Sequence, residues 1–348
     1  MADSQRFRTA KMRKEKDPRW GNPFAYGKEV AYSKSELPIL DTLSEWEAAK
    51  HPRISKPETE FINSLDMSCC PFCGSAEIVR NGHRKDGTAL FRCRSCGRSF
   101  NPLTGTVFDS RKIMISEWME FLIHLFEFHS LVSSSRDNRN AENTGIYWLS
   151  KAFSVLEGTQ EGTMLKGRIW LDETFVGVEK KKRVRKDGKK LGGISRNLIA
   201  IGTATDGESV FIVPEFVSKP NRKTTLNIFE NHIAPGSTLV HDGDNSHSLL
   251  TERLSLKSEV HPTGETKGLE DISNPMDPIN DIHSLFKLFM KTHSSYSRED
   301  LEGWTDLFAF ICNEPENRYE KVDKFIRMAV SKRKIIRYRD LFAKNDQK

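Results

Sequence analysis

Two cysteine pairs, Cys70-Pro-Phe-Cys73-Gly74 and Cys93-Arg-Ser-Cys96-Gly97, stand 19 residues apart. Each CxxC turn presents two sulfurs to one ion, and the following glycine lets backbone amides approach those sulfurs. Four thiolates so arranged suit one tetrahedral, structural Zn²⁺, with Cys70, Cys73, Cys93 and Cys96 as its ligands. Cys69 adjoins the first of them, which leaves a register with Cys69 in place of Cys70 open. Cys312 falls in an apolar helical pattern and is expected in a core.

A second constellation is dispersed: Asp172 in IWLDETFVG, Asp242 in LVHDGD and Asn280 in PINDIHSLFK. Asp172 interrupts an apolar strand-like run and Asp242 ends another, where an unpaired buried carboxylate is costly. If the two strands are sheet neighbours, the carboxylates converge, and divalent cations relieve their repulsion. Two Mg²⁺ (or Mn²⁺) ions about 4 Å apart would activate an attacking hydroxyl and stabilise the leaving oxygen of a phosphodiester. Asp172, on the first strand, is the candidate bridging ligand. Asn280, His283 and Lys287 fall at i, i+3 and i+7, one helical face, beside an apolar stripe of Ile282, Leu285, Phe286 and Phe289. Asn280 could lend an amide oxygen to the second ion or merely cap its helix. Lys287 could hold a phosphate or be a solvated charge.

Positioning these groups falls to the elements around them. EIVRNG and TALFRC flank a turn at Asp86-Gly87, the size of a zinc ribbon, and seven basic or imidazole side chains (Arg80, His83, Arg84, Lys85, Arg92, Arg94, Arg98) decorate it. SEWMEFLIHLFEF predicts an amphipathic helix with Ser116 as N-cap, and IYWLSKAFSVL another after a polar connector. Together these fit a helix-turn-helix-like unit or a plain helical linker. Beyond Lys166, GRIWLDETFVGV, SRNLIAIGTATDG and ESVFIVPEFV predict three antiparallel strands. TTLNIFENHI predicts a helix, STLVHDGD and KSEVHP two more strands, and Pro278 to Thr292 and Ser297 to Cys312 two long helices. Three strands, helix, strand, helix, strand, helix is the order of an α/β, RNase H-like mixed sheet flanked by helices. The basic run 179–190 predicts a hairpin, and the stretch from Lys324 to Lys344 a basic amphipathic helix.

IWLDETFVG, the HDG strand end and INDIHSLFK followed by FAFICNEP resemble bacterial insertion-sequence transposases of the DDE superfamily. The likeness is to the DDNK subgroup, whose third acidic ligand is replaced by Asn and followed by Lys. CPFCGS…FRCRSCGRSFNPLTGTVF resembles the zinc ribbon that precedes that domain, so the likeness spans roughly residues 68 to 315. The resemblance implies Asp172, Asp242 and Asn280 as metal-binding catalytic residues and Lys287 as the associated basic residue, with His283 also matching. Asp277 and Asp281 flank Asn280 and offer the acidic group that this third position lacks. Implied partners are double-stranded DNA, both transposon ends and target, and a second copy of the chain, at least a dimer.

The chain has 348 residues, more than one ordinary core, and carries 54 Lys and Arg against 48 Asp and Glu, a modest excess that tolerates polyanions. The expected division is a basic extension (1–66), a zinc ribbon (67–110), a helical DNA-binding linker (111–164), an RNase H-like catalytic domain (165–315) and a basic tail (316–348). Clustered cysteines, a charged N-terminus and no long apolar run speak against a disulfide-rich secreted domain or a membrane protein. They predict a soluble, reducing, cytoplasmic setting, and the resemblance implies a bacterial, nucleoid-associated protein. A non-catalytic DNA-binding regulator and a nuclease that never rejoins are the competing functions.

Overall fold

The computed structural model describes residues 56–342 apart from 112, 139, 178–197, 267, 271–272 and 294–295. The stretch Ser44 to Lys50, whose residue pattern is helical, and the basic hairpin expected at 179–190 lie outside the described residues. Contacts gather the chain into two compact units, Met1–Lys151 with Val322–Lys348, and Ala152–Lys321. No helix among the described residues is long and apolar enough to cross a membrane.

The first unit opens with α1 (Lys56–Ser64), in a stretch that composition had assigned little core. Ile62 is nonetheless fully buried. Asn63 donates to Gly87 O and accepts from Ala89 N, and Thr59 donates to Asp86 O, so local polar bonds fasten this helix to the ribbon's turn. The ribbon itself is an antiparallel sheet of β1 (Ile78–His83), β2 (Ala89–Cys93) and β3 (Ser99–Phe100). Gly87, at φ +82°, makes the expected turn.

The helix α2 (Ile115–Phe126) buries Trp118, Phe121, Leu122, Leu125 and Phe126, the stripe its periodicity predicts. Ser116 is not its N-cap: Met114 holds that position, and the Ser116 N–H donates to Glu58 at 3.1 Å. Glu58 also receives Arg111 at 2.9 Å, so the carboxylate at the helix N-terminus comes from 58 residues upstream, out of reach of any local pattern. The polar connector contains a further helix, α3 (Leu131–Asp137), capped by Ser130. Ser134 and Ser135 are buried there because each hydroxyl bonds the carbonyl four residues back. Then comes α4 (Glu142–Leu156), whose Trp148 stacks on Trp118 at 4.6 Å.

The second unit is built on five strands: β4 (Arg168–Gly177), β5 (Leu198–Thr205), β6 (Val210–Pro214), β7 (Thr238–His241) and β8 (Lys257–Val260). Their order in the sheet is β6-β5-β4-β7-β8. The first three pair antiparallel, whereas β7 runs parallel to β4 and β8 parallel to β7. This is the RNase H-like arrangement, and the helices lie on both faces as expected. On one face α5 (Arg222–Phe229) and α6 (Ser248–Arg253) cover Ile169, Leu171 and Leu239 with Phe229 and Leu250. After β8 and the single turn α7 (Thr263–Thr266), α8 (Asp277–Thr292) lays Met276 and Ile279 against Trp170 and Val240 on the other face. Its later turns pack on α9 (Leu301–Cys312) through Phe286 and Phe308, whose rings lie 5.0 Å apart. Cys312 is half-buried, and burial pushes its thiol up to about 12.

Edge strand β6 is closed by two side-chain amides. Gln160 both donates to Ile212 O and accepts from Ile212 N, and Asn313 does the same at Val210. The basic helix expected from Lys324 to Lys344 is two pieces, α10 (Arg318–Ser331) and α11 (Tyr338–Phe342). An extended stretch separates them, and Tyr147 donates to Ile336 O within it.

Candidate functional site

The four cysteine sulfurs of the ribbon all lie within 4.8 Å of one another. Cys70 Sγ is 3.7 Å from Cys96 Sγ, and Cys73 Sγ is 3.6 Å from Cys93 Sγ. Tetrahedral zinc with bonds of about 2.3 Å separates its sulfurs by roughly 3.8 Å, so the residues fit the ion. Gly74 and Gly97 take φ of +73° and +71° and donate to Cys70 O and Cys93 O, shaping the two turns alike. Amides of Phe72 and Cys96 point at Cys70 Sγ and Cys93 Sγ. The Cys96 amide pulls the Cys93 thiol down to about 6, favouring thiolate. Cys69 is exposed and outside this group, so the geometry selects the register that uses Cys70.

The two aspartates meet through strand register. Trp170 pairs with Val240 across the parallel strands β4 and β7. Two residues on, at the same level, stand Asp172 and Asp242. Side chains alternate with a period of two, so Asp172 shares the face of Trp170, under the N-terminal half of α8, while Asp242 follows the last residue of β7, near enough for its carboxylate to act on that of Asp172. Asp172 is held up at about 7, first by burial and then by the Glu173 and Asp242 carboxylates, against the pull of the Glu173 amide. A carboxyl so perturbed by a like-charged neighbour is the donor set that a divalent cation relieves. One oxygen of Asp242 is already engaged, accepting from the Asp244 N–H at 2.8 Å.

The helix α8 brings His283 to this pair. His283 Nδ1 lies 3.8 Å from Asp172 Oδ2, close but beyond hydrogen-bond range. Burial, with Lys287 nearby, pushes His283 down to about 4, so the ring is neutral at pH 7 and its Nε2 is buried without a partner. The expected faces need correcting. His283 belongs to the buried stripe with Ile279, Phe286, Phe289 and Met290, whereas Leu285 is 41% exposed. The packed face of α8 is therefore rotated by about one residue, because His283 has to reach Asp172. Asn280, one turn before His283, is half-buried, and Lys287, one turn after it, is exposed. Asp277 is half-buried and Asp281 exposed on the same helix.

Residues 164–313 match the family model of the ISXO2-like transposase domain. The match covers 150 of the 348 residues, so this part of the chain is similar to a DDE-type insertion-sequence transposase domain. Asp172, Asp242, Asn280, His283 and Lys287 all fall inside the transposase domain, whereas the thiol cluster precedes it. Among solved structures, the chain is similar to three Mos1 complexes. The pre-cleavage Mos1 transpososome is 10% identical, with 60% of this chain and 77% of that one covered and a TM-score of 0.25. The Mos1 strand transfer complex is 11% identical, covering 63% and 78% at a TM-score of 0.29. The Mos1 mariner paired end complex with Mn is 11% identical, covering 61% and 77%, also at 0.29. Scores this low carry no weight for the assignment, which stands on the family match and the strand order. No curated protein matches the chain.

Beside the aspartates runs a buried polar row that the sequence pattern did not disclose, and its two histidines, His241 and His247, bring ring nitrogens within 4.8 Å of an Asp242 oxygen. Glu215 lies over Gly202, whose missing Cβ makes room: a Cβ there would meet Glu215 Oε1 at 2.9 Å. Glu173, paired with Gly202 in the sheet, has its Oε1 3.2 Å from His247 Nε2. His247 Nδ1 is 3.1 Å from His241 Nδ1, and His241 Nε2 is 2.7 Å from Ser258 Oγ on β8. Burial, then the Glu173 carboxylate, raises Glu215 to about 8, and neither of its oxygens has a partner. The HDGDNSH segment, with two histidines bracketing a glycine turn, is the only trace of this row in the sequence.

Proposed function

We propose that the protein is a transposase that binds the terminal inverted repeats of its element, nicks each 3′ end with water and joins the freed hydroxyl to target DNA. The observation that carries this reading is Asp172 on β4 with Asp242 at the end of its parallel neighbour β7, their carboxylates near enough to interact, in a stretch that matches the ISXO2-like transposase domain. Asp172, Asp242 and the amide oxygen of Asn280 would hold two Mg²⁺ or Mn²⁺ ions, with Asp172 between them. Such ions, when bound, lower the pKa of the attacking hydroxyl and stabilise the oxygen that leaves phosphorus.

The chain's own residues do the rest. Asp172 on β4 and Asp242 just past the end of β7 fix the site, and His283, neutral and buried, closes it from α8 without adding charge. Lys287, exposed one turn further on, is placed to hold a DNA phosphate. One structural Zn²⁺ on Cys70, Cys73, Cys93 and Cys96 would keep the ribbon's basic side chains in a phosphate-binding array.

In this reading residues 67–110 and 111–164 bind DNA, 165–315 carry out the chemistry, and the basic stretches 1–66 and 316–348 assist. Bringing two DNA ends together calls for at least a dimer, acting on the nucleoid in the bacterial cytoplasm.

The test uses the purified chain, Mg²⁺ and a labelled duplex carrying the inverted repeats that flank its gene. Nicking at the 3′ end, joining to a second duplex, and loss of both in Asp172→Ala are expected. Tight binding with no nicking in Mg²⁺ or Mn²⁺ would replace the reading with a DNA-binding regulator, and nicking without joining with a nuclease.

A further inference from the structure

His247 touches the sequence neighbours of both proposed metal ligands. Glu173, next to Asp172 on β4, meets its Nε2 at 3.2 Å, and His241, the residue before Asp242 on β7, meets its Nδ1 at 3.1 Å. Proton positions along this line follow from the bonds themselves. The Gly243 N–H donates to His241 Nδ1, so that nitrogen is an acceptor, and His241 Nε2–H must donate to Ser258 Oγ. The proton between the two rings therefore belongs to His247 Nδ1, while His247 Nε2 faces a carboxylate oxygen and serves it best as a donor.

The geometry of the intervening loop gives this ring a task. Asp242 leads into a turn in which Gly243 takes φ +90° and Asp244 N–H donates back to Asp242 Oδ1. The turn ends at His247, whose side chain returns to His241 and closes the loop on itself. His247 is fully buried and the Glu173 side chain is 7% exposed, and ring nitrogens of His241 and His247 lie within 4.8 Å of an Asp242 carboxylate oxygen, so the tie stands directly beside that ligand.

We propose that His247 is a positioning residue for the cation site: one imidazole ties the strand carrying Asp172 to the loop carrying Asp242 and fixes the spacing of their carboxylates. This deepens the catalytic reading given above and rests on it. Without the tie, the glycine-containing loop that carries Asp242 loses its side-chain link to β4, and the cation itself has to order the two ligands. Partners that orient metal ligands commonly contribute about 10- to 100-fold in metal affinity or activity.

The experiment measures Mn²⁺ binding to the zinc-loaded full chain by the loss of the free-ion paramagnetic resonance signal, and nicking of the labelled end duplex across the same titration, for His247→Leu, His247→Gln and Glu173→Gln, with circular dichroism to confirm folding. His247→Leu should raise the half-saturating Mn²⁺ concentration by about tenfold or more while leaving the KM for DNA near that of the parent. His247→Gln, which keeps a donor toward Glu173, should recover most of the loss. A folded His247→Leu with an unchanged Mn²⁺ requirement overturns the proposal, as does a Gln variant no better than Leu. If His247→Leu does not fold, the isosteric Glu173→Gln decides: a raised Mn²⁺ requirement supports the tie, an unchanged one overturns it. Nicking that survives Asp172→Ala would instead topple the catalytic reading itself, so the two failures are told apart.

Discussion

His283 Nδ1 stands 3.8 Å from Asp172 Oδ2, a neutral ring facing a carboxyl that burial and its neighbours hold up at about 7. Neither group satisfies the other, since an imidazole at that distance donates nothing useful. A cation between the strands would draw Asp172 into its charged form and leave the His283 ring as a wall. His283→Ala opens that wall to water and loosens the contact that seats α8. The expected result is a rise of about tenfold in the Mn²⁺ needed for half-maximal nicking, read from the same titration.

The unpartnered Glu215 gives the domain a pH signature. Its folded pKa, about 8, exceeds the unfolded value, so the native state binds the extra proton and the stability it contributes is lost as pH rises toward 8. Glu215→Gln mimics the protonated form and removes this slope. Chemical denaturation of zinc-loaded protein at pH 6.5 and pH 8 should show the variant gaining on the parent at the higher pH. An equal pH dependence in both would mean that Glu215 is charged in the folded state.

Zinc content separates Cys69 from its neighbour. Cys69→Ser should keep one zinc per chain by elemental analysis, because Cys69 is outside the four-sulfur group. Cys70→Ser or Cys96→Ser should lose the ion and with it the fold of the ribbon, since structural sites of this kind contribute folding free energy directly. Equal zinc loss in Cys69→Ser would mean the first pair binds in the other register.

Gly202 is a tight point of the sheet face that Phe229 covers. A methyl group there would press on Glu215 Oε1 and on the Phe229 ring at 3.0 Å and 3.1 Å. Gly202→Ala should cost about 1–3 kcal/mol, measured as a lower thermal midpoint, because neither neighbour has room to retreat. A midpoint equal to the parent's would show that Glu215 rotates away freely.

Much of the catalytic half was legible from the chain alone. Apolar runs broken by Asp172 and ended by Asp242 are expensive unless the two strands adjoin, and β4 and β7 do adjoin. The cysteine spacing likewise predicted a cluster that the sulfur distances fit. What escaped notice depended on partners distant in sequence. Glu58 at the start of α2, Asn63 on the ribbon turn, and Glu215 over Gly202 are each ordinary polar residues until the fold supplies the other half of the contact. The buried side of α8 was misplaced for a related reason. Periodicity ranks Leu285 above His283, whereas the sheet rewards whichever side chain faces Asp172.

The amides of Gln160 and Asn313 occupy the hydrogen-bonding groups that β6 would otherwise offer to a further strand. A second molecule therefore cannot extend the sheet by docking its backbone at Val210 and Ile212. A pairing of two copies, as the proposed function calls for, would therefore leave this edge of the sheet untouched.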